Sequence, residues 1–350
     1  VSAGLVGPEE RTCEGGEDSR CTSRAQKWVA TSLAHGQSIS LLITATGVLS
    51  SLLAADGIDI PTVQSSLNYL LLSGHLLWAF PRGRDRELTF PAWRYLLWAI
   101  CDVEGNYFVV KAYQYTSVAS VMLLDCFTIP VVMVLSRVLM GARYTRWHVF
   151  ACAICIIGLA LTVLSDALVS NEAGAADTPQ GPAWLGDLLV LLGASLYGFS
   201  NVQQELILKG NCRRSEALGM LGVWGTVISC VQAAAVERAA LWSITWSARV
   251  VLCILGFQLS LFGMYVLTAL FLQVSDAALF NLSLLTSDVY SVIFSWSVQH
   301  RRITWGYAGA FATTMTGLVV YHSQPAVVAA GDSLALRRNG LIQEPRGADF

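Results

Sequence analysis

The feature that most constrains this chain is a series of long apolar runs. The stretch from Trp147 to Ser165, for example, contains no Asp, Glu, Lys or Arg. Hydrophobic residues make up 54% of the 350 residues and charged residues only 13%, whereas about 25% of residues are charged in an ordinary soluble domain. A soluble core of this length could not bury so much apolar surface. The sequence therefore predicts an all-α, multi-pass membrane protein, and no basic region indicates nucleic-acid binding.

Turn signals divide the apolar sequence into ten candidate membrane-spanning helices. A span needs roughly 20 apolar residues, and polar or glycine- and proline-containing stretches such as DGIDIP, PRGRDRE and SNEAGAADTPQGP mark the breaks. The candidates are 33–54, 62–80, 92–113, 116–140, 147–166, 184–208, 216–236, 249–272, 275–298 and 303–322. Polar segments 1–32 and 323–350 flank them, and residues 167–183 form a polar loop in the middle.

Basic residues are distributed unequally between the two sides of this arrangement. If the N-terminus is cytosolic, 17 of the 22 Lys and Arg residues fall in cytosolic segments, four fall on the far side, and Lys111 lies inside a helix. Cytosolic loops of membrane proteins carry an excess of Lys and Arg. The pattern predicts that both termini are cytosolic and that 167–183 is not. It leaves open whether the membrane is the plasma membrane or an endomembrane.

The second part of the chain repeats the first. Shifting the sequence by 158 positions aligns the third to fifth candidate helices with the eighth to tenth without a gap, with 11 identities in 64 positions from residue 102 to 165. Helix ends and loops coincide as well. Because five helices are an odd number, a second copy must enter the membrane from the opposite face. We therefore expect two inverted five-helix repeats, 33–166 and 184–322, which is an architecture typical of carriers with a site near the midplane.

The third candidate helix carries charges that lipid would not tolerate. A charged side chain costs roughly 2.5–3.5 kcal/mol at the bilayer centre on insertion scales. Glu104, Tyr107 and Lys111 share one helix face, and we expect them to bind a solute or an ion. Asp102 lies on the opposite side and nearer the cytosolic end, where we expect contact with water, so its role in the site is weaker. A structural charge network that locks two helices together is the alternative.

The fourth candidate helix combines a carboxylate with a proline. Pro130 cannot donate a hydrogen bond to the carbonyl of Cys126, so the helix should kink just past Asp125 and leave a free acceptor. A carboxylate beside a broken helical turn is well placed to face a cavity. The alternative is that Asp125 only satisfies a neighbouring helix.

Polar stripes also run along the sixth and ninth candidate helices. Asn201 and Glu205 share a face of the sixth helix, although Glu205 could instead form a surface ion pair with Lys209 at the helix end. In the ninth helix, Asn281 and Asp288 are seven residues apart on one stripe, and Asp288 lies at mid-helix depth. We expect Asn281 and Asp288 to contribute to the site.

These positions together predict an acidic cavity. Burial in a low-dielectric site favours the protonated form of a carboxylate, which makes protons a candidate coupling ion. Cys152 and Cys155 match a C-x-x-C spacing, but they lie in an apolar helix and are interpreted as packing residues rather than metal ligands. The sequence predicts no metal and no cofactor, and it does not determine the oligomeric state.

Six motifs carry a resemblance to a known family. They are DVEGNY (102–107), AYQYTS (112–117), LLDCF with Pro130, GDLLVLLGASLYGFSNV (186–202), LGMLGVWGT (218–226) and NLSLLTSDVYS (281–291). Together they resemble the F subfamily of solute carrier family 35, within the drug/metabolite transporter superfamily, over roughly residues 35–322. The resemblance implies ten helices in two inverted repeats and transport by alternating access. Some relatives in this subfamily are associated with nucleobase- or nucleoside-like compounds of the queuine type.

The chain also departs from its relatives. Gln204 precedes Glu205 where relatives tend to have two acids, which makes a paired-carboxylate role there doubtful. Nucleotide-sugar carriers in other subfamilies resemble each other in a lysine on the ninth helix, whereas this chain has no Lys after Lys209. Because a diphosphate requires several cations, nucleotide sugars are less favoured as solutes.

The sequence therefore predicts a secondary carrier for a small polar organic solute, in which a nucleobase- or nucleoside-like compound is one candidate. The alternatives are a nucleotide-sugar transporter of the endomembrane system and a membrane receptor or scaffold that transports nothing. An intramembrane enzyme is less favoured, because the five histidines are scattered and Ser195 does not lie in a G-x-S-x-G motif.

Overall fold

The fold is helical throughout the residues that the structure describes. The computed structural model describes residues 18–79, 88–140, 144–172, 182–209, 212–274, 277–298 and 304–323. The helices are α1 (Asp18–Ala55), α2 (Pro61–Ser73), α3 (Leu76–Ala79), α4 (Ala92–Ala112), α5 (Val118–Asp125), α6 (Thr128–Met140), α7 (Arg146–Glu172), α8 (Ala183–Lys209), α9 (Arg214–Gln232), α10 (Arg238–Ser243), α11 (Ala248–Val274), α12 (Ala277–Ser297) and α13 (Trp305–His322). A π-helical segment, Ala233–Glu237, joins α9 to α10.

Six helical stretches within the described residues are long and apolar enough to cross a membrane. They are 34–55, 118–139, 146–168, 183–208, 214–243 and 248–270. The prediction of a multi-pass, all-α membrane protein is thereby confirmed. α1 begins at Asp18 rather than near residue 33, so part of the polar segment 1–32 continues the first helix.

The fourth predicted span is divided into two helices close to the kink expected at Pro130. α5 ends at Asp125, Cys126 and Phe127 form a turn, and α6 begins at Thr128. The expected free acceptor was wrong, because the carbonyl of Cys126 accepts a hydrogen bond from the amide of Ile129 at 3.0 Å. The chain tightens to an i→i+3 bond at this point, which satisfies the carbonyl that proline cannot.

Two buried carboxylates, one at the start of α9 and one at the end of the π-helical segment that follows it, bond to distant parts of the chain. Glu237 accepts hydrogen bonds from the amides of Thr62 at 2.6 Å and Val63 at 2.9 Å, at the start of α2. Glu216, at the other end, accepts from the amide of Thr89 and the hydroxyl of Tyr95, both at 2.7 Å. Amides in the first turn of a helix have no partner within that helix, so a carboxylate there is stabilising.

The most extensive helix contacts join parts of the chain that are distant in sequence. α7 packs on α13, α4 on α8, α2 on α9, and α1 on both α11 and α12. Glycine permits the closest of these approaches. A Cβ atom at Gly222 of α9 would collide with the backbone of Leu72 and Ser73 in α2. The helices therefore form one bundle in which α4, α8 and α11 surround polar side chains.

Candidate functional site

Asp102 of α4 is the centre of a buried polar network. Only 4% of its surface is exposed. One carboxylate oxygen accepts hydrogen bonds from the hydroxyls of Tyr69 on α2 at 2.9 Å and Tyr265 on α11 at 2.5 Å. The other accepts from the hydroxyl of Ser200 on α8 at 2.9 Å. The expectation that Asp102 meets water was wrong, because three helices cover this face of α4 and each supplies it with a donor.

Asn106, one turn along α4, extends the network. Its amide nitrogen donates to the hydroxyl of Tyr69 at 2.7 Å and lies 3.3 Å from the hydroxyl of Tyr265. Its amide oxygen accepts from the hydroxyl of Tyr197 on α8 at 2.9 Å. We call the side chains of Tyr69, Asp102, Asn106, Tyr197, Ser200 and Tyr265 the Asp102 network. Except for Asp102, sequence reasoning did not assign these residues to a site, although Asp102 and Asn106 are spaced for a shared helix face.

The predicted face of Glu104, Tyr107 and Lys111 lies on another side of α4. Lys111, near the end of the helix, forms an ion pair with Asp59 in the turn before α2. Glu104 accepts a hydrogen bond from the side-chain amide of Gln232 at 3.3 Å. Tyr107 lies close enough to Lys111 and Glu104 to interact electrostatically with both. Glu104 and Lys111 thus each contact a protein partner in this state.

Asp125 and Asp288 come together from α5 and α12. Asp288 is 5% exposed, and one of its oxygens lies 3.6 Å from the thiol of Cys126. The Oδ1 atom of Asp125 is buried and has no hydrogen-bond partner. The two carboxylates are near enough to interact electrostatically. We call the two carboxylates, together with the Cys126 thiol that contacts Asp288, the Asp125–Asp288 pair. These carboxylates accept far fewer hydrogen bonds than Asp102 does.

The remaining predicted residues lie outside these two groups. Asn201 is exposed on α8. Glu205, further along α8, is partly buried and near Tyr144. Asn281 belongs to α12, but its side chain lies outside the described part of the structure. The side chain of Lys209, considered as an ion-pair partner of Glu205, is likewise outside it.

Buried amides connect α1, α2 and α11 beside the Asp102 network, and sequence reasoning missed them. The Gln258 side chain donates to the carbonyl of Gln64 at 2.5 Å, and the Gln64 side chain donates to the hydroxyl of Ser50 at 2.7 Å. Asn68 is completely buried, and neither polar atom of its side chain has a partner. Unpaired amide atoms in an apolar interior are costly.

The two cysteines of the C-x-x-C spacing act as packing groups. The thiol of Cys152 lies 3.6 Å from the sulfur of Met133, and that of Cys155 lies 3.8 Å from the carbonyl of Thr314 on α13. Both contacts are weak, and both side chains lie between helices.

Comparisons with known proteins identify the family of this chain. The profile of solute carrier family 35 matches residues 25–323. The chain is 38% identical over 318 residues to solute carrier family 35 member F2 of Mus musculus, covering 89% of this chain and 84% of that protein. It is 36% identical over 306 residues to the protein of the same name from Xenopus tropicalis, covering 85% and 78%.

A solved structure supports the fold independently. A crystal structure with 17% sequence identity has a TM-score of 0.53 and covers 89% of this chain and 99% of its own. At that identity the similarity concerns the fold alone. The family match and the relatives carry the assignment, and they exclude the enzyme alternative because members of this family are transporters. The chain belongs to the F subfamily of solute carrier family 35 and is a multi-pass membrane transporter.

Proposed function

We propose that this transporter is a secondary carrier that moves a small polar organic solute by alternating access. Its ten spans form two inverted halves, 33–166 and 184–322, with both termini in the cytosol. In this arrangement α4 corresponds to α11, and α1 corresponds to α8. If each helix is replaced by its counterpart in the other half, the α4–α8 contact becomes the α11–α1 contact. Both contacts are among the most extensive in the bundle. The same replacement leaves the α2–α9 and α7–α13 contacts unchanged, because each joins a helix to its own counterpart.

Two glycines support the same correspondence between the helices of the two halves. A Cβ atom added to Gly105 of α4 would lie 2.9 Å from the ring of Tyr197 on α8. Gly263, its counterpart under the 158-residue shift, lies on α11, and a Cβ atom there would lie 3.2 Å from the side chain of Leu42 on α1. Corresponding glycines therefore accommodate corresponding helices, as two inverted copies require.

The observation that carries the proposal is that buried polar groups bridge the two halves. Asp102, from the first half, accepts hydrogen bonds from Ser200 and Tyr265 of the second. Cys126, from the first half, contacts Asp288 of the second. Polar groups inside a membrane protein face the bundle interior or a solute pathway. A carrier with its site between inverted repeats requires polar groups at this boundary.

The chemistry of the boundary favours a neutral or cationic solute. Phenols, side-chain amides and carboxylates provide the polar atoms of the groups described above, and Lys111 already contacts Asp59. Unpartnered amide atoms on Asn68 and Gln258 match the hydrogen-bonding edges of a nucleobase- or nucleoside-like solute. This composition supports such a solute over a nucleotide sugar, whose diphosphate requires cations.

We assign roles to the predicted residues on this basis. Asp125 and Asp288 bind the solute or a coupling proton, since two nearby buried carboxylates resist being charged together. Glu104 and Tyr107 line the route between the halves, and Asn281 supplies a neutral hydrogen bond. Lys111 holds Asp59 in the present state and exchanges it for another carboxylate in the opposite state.

Uptake into proteoliposomes tests this proposal. The purified chain is reconstituted, and a panel of nucleobases, nucleosides, nucleotide sugars and amines is offered with and without an imposed pH gradient. We expect saturable uptake of a nucleobase- or nucleoside-like compound that a pH gradient accelerates. Uptake limited to nucleotide sugars would reject the solute class, and no uptake of any compound with correctly folded protein would argue against the carrier. Asp56→Asn, which alters a carboxylate paired with Arg249 at the bundle end, is the matched control.

A further inference from the structure

A cavity lies where α4 begins and where α6 and α8 end. Its volume is about 80 Å³, whereas about 10–15 Å³ is enough for one water molecule. Among the described residues, six side chains line it: Trp93, Arg94, Leu139, Gln203, Leu206 and Ile207. None of them belongs to the Asp102 network or the Asp125–Asp288 pair. Four are apolar or aromatic and only Arg94 is charged, so the cavity suits a ligand that is partly apolar and partly anionic.

Apolar side chains form the wall of the cavity and continue beyond it. Leu139 of α6 packs against Leu206 of α8, which is 6% exposed. On α4, Trp93, Leu97 and Ile100 are 60%, 37% and 40% exposed. Their spacing of four and three residues places them on one face of the helix. An apolar surface on α4 therefore leads away from the cavity, and an acyl chain can lie along it.

Arg94 gives the cavity its positive charge. The central carbon of its guanidinium group lies 5.2 Å from the centre of the Phe90 ring and 5.6 Å from that of Trp93. Stacking on the rings uses the faces of the guanidinium, whereas its N–H donors lie in its plane. Arg94 can therefore bind a phosphate group in addition to its contacts within the chain.

Other basic residues surround this end of the bundle. The sequence reads PRGRDRE before α4, GAR directly after α6, and KGNCRR between α8 and α9. Of these and neighbouring residues, Arg137 on α6 and Arg213 before α9 are exposed. In the orientation proposed above, this end faces the cytosolic leaflet, which contains anionic phospholipids. Basic pockets between membrane helices on that side are suited to anionic headgroups.

We propose that this cavity binds one anionic phospholipid. The phosphate of the headgroup contacts Arg94, and an acyl chain lies against Leu139 and Leu206 and along Trp93 and Leu97. The bound lipid joins α4 to α6 and α8 and thereby stabilises the folded protein. Only the assignment to the cytosolic leaflet rests on the orientation proposed above, since binding of the lipid requires neither transport nor a particular orientation.

Lipid binding by the purified chain in detergent tests the site. Native mass spectrometry counts bound lipids while phosphatidylserine, or phosphatidylcholine with the same acyl chains, is added. We expect one phosphatidylserine to bind saturably, about 10-fold more tightly than phosphatidylcholine, and to raise Tm. Glycerophosphoserine, the water-soluble headgroup, should not displace the lipid. If it did, a soluble anion would be the ligand and the lipid site would be wrong.

Variants separate a defined site from general attraction between basic loops and anionic lipid. Arg94→Gln should weaken phosphatidylserine binding about 5–10-fold and leave phosphatidylcholine binding unchanged. Arg137→Gln removes an exposed charge from the same end but not from the cavity wall, so this matched control should change the affinity less than about two-fold. Leu139→Trp fills the cavity, keeps every charge, and should remove the preference even if Arg94→Gln does not fold. No preference in the wild type, equal losses in the two arginine variants, or an unchanged preference in Leu139→Trp would overturn the proposal.

Discussion

The Asp102 network and the Asp125–Asp288 pair both contain buried carboxylates, but these differ in how many hydrogen bonds they accept. Asp102 receives hydrogen bonds from three hydroxyl groups on three helices. Asp288 receives one long contact from a thiol, and an oxygen of Asp125 receives none. Both groups are buried, and each joins residues before position 127 to residues after position 196.

This difference indicates what each group can do. A carboxylate with all its donors in place is fixed, and moving it would break several hydrogen bonds at once. A carboxylate with free acceptor capacity can take a proton or a solute at little structural cost. We therefore assign the Asp102 network to holding helices together and the Asp125–Asp288 pair to binding. The following predictions test that division, beginning with the largest expected effect.

Asp102→Ala should have the most severe effect. Removing the carboxylate leaves the hydroxyls of Tyr69, Ser200 and Tyr265 without an acceptor, and each buried unpaired donor costs about 1–3 kcal/mol. We expect loss of monodisperse protein on size-exclusion chromatography, and therefore no measurable transport. Asp102→Asn should be milder because one amide oxygen remains. Normal yield and Tm for Asp102→Ala would show that the network is not structural.

Asp288→Asn should abolish transport without unfolding the protein. The amide matches the carboxylate in size and can still contact Cys126, but it cannot bind a proton or a cationic group. We expect initial uptake rates in proteoliposomes to fall by at least about 100-fold, which corresponds to roughly 3 kcal/mol, with Tm within a few degrees of wild type. Wild-type uptake would remove Asp288 from the proposed site and leave the fold unaffected.

Lys111→Ala should slow transport by about 10-fold, or roughly 1.4 kcal/mol. Its partner Asp59 would lose the ion pair that holds the α1–α2 turn in the present state. Uptake rates and thiol accessibility of a cysteine placed in that turn should change together. Lys111→Arg, which keeps the charge, is the matched control. Unchanged uptake in Lys111→Ala would show that the ion pair takes no part in the transport cycle.

Tyr265→Phe should have the smallest effect on transport and should act on stability alone. It removes the hydroxyl that donates to Asp102 at 2.5 Å, and a hydrogen bond to a charged group contributes about 1.5–3 kcal/mol. Tyr290→Phe, which removes a partly buried bond to Gln37, should lower Tm less. Equal Tm values for the two variants would show that the hydrogen bond to Asp102 stabilises the protein no more than the bond to Gln37 does.

Several features could be predicted because they depend on local sequence. The helix break after Asp125 follows from Pro130, which has no amide hydrogen wherever it lies. The apolar runs predict helices because lipid cannot satisfy backbone groups. Asp288 could be singled out as a carboxylate at mid-helix depth, and the structure finds it buried.

Other features could not be predicted because they depend on which helices meet. Asp102 was expected in water, since nothing near it in sequence indicates that Tyr69, Ser200 and Tyr265 surround it. Glu216 and Glu237 received no role from the sequence, yet they accept hydrogen bonds from residues 127 and 175 positions away.

The sequence by itself determined that this chain crosses a membrane as helices, that one span breaks at a proline, and that it resembles one family of carriers. These properties follow from hydropathy and backbone chemistry, which every residue carries with it. Only the tertiary structure decided which carboxylates are satisfied and which are not. The reason is physical, because a buried charge takes its donors from whichever helices pack against it.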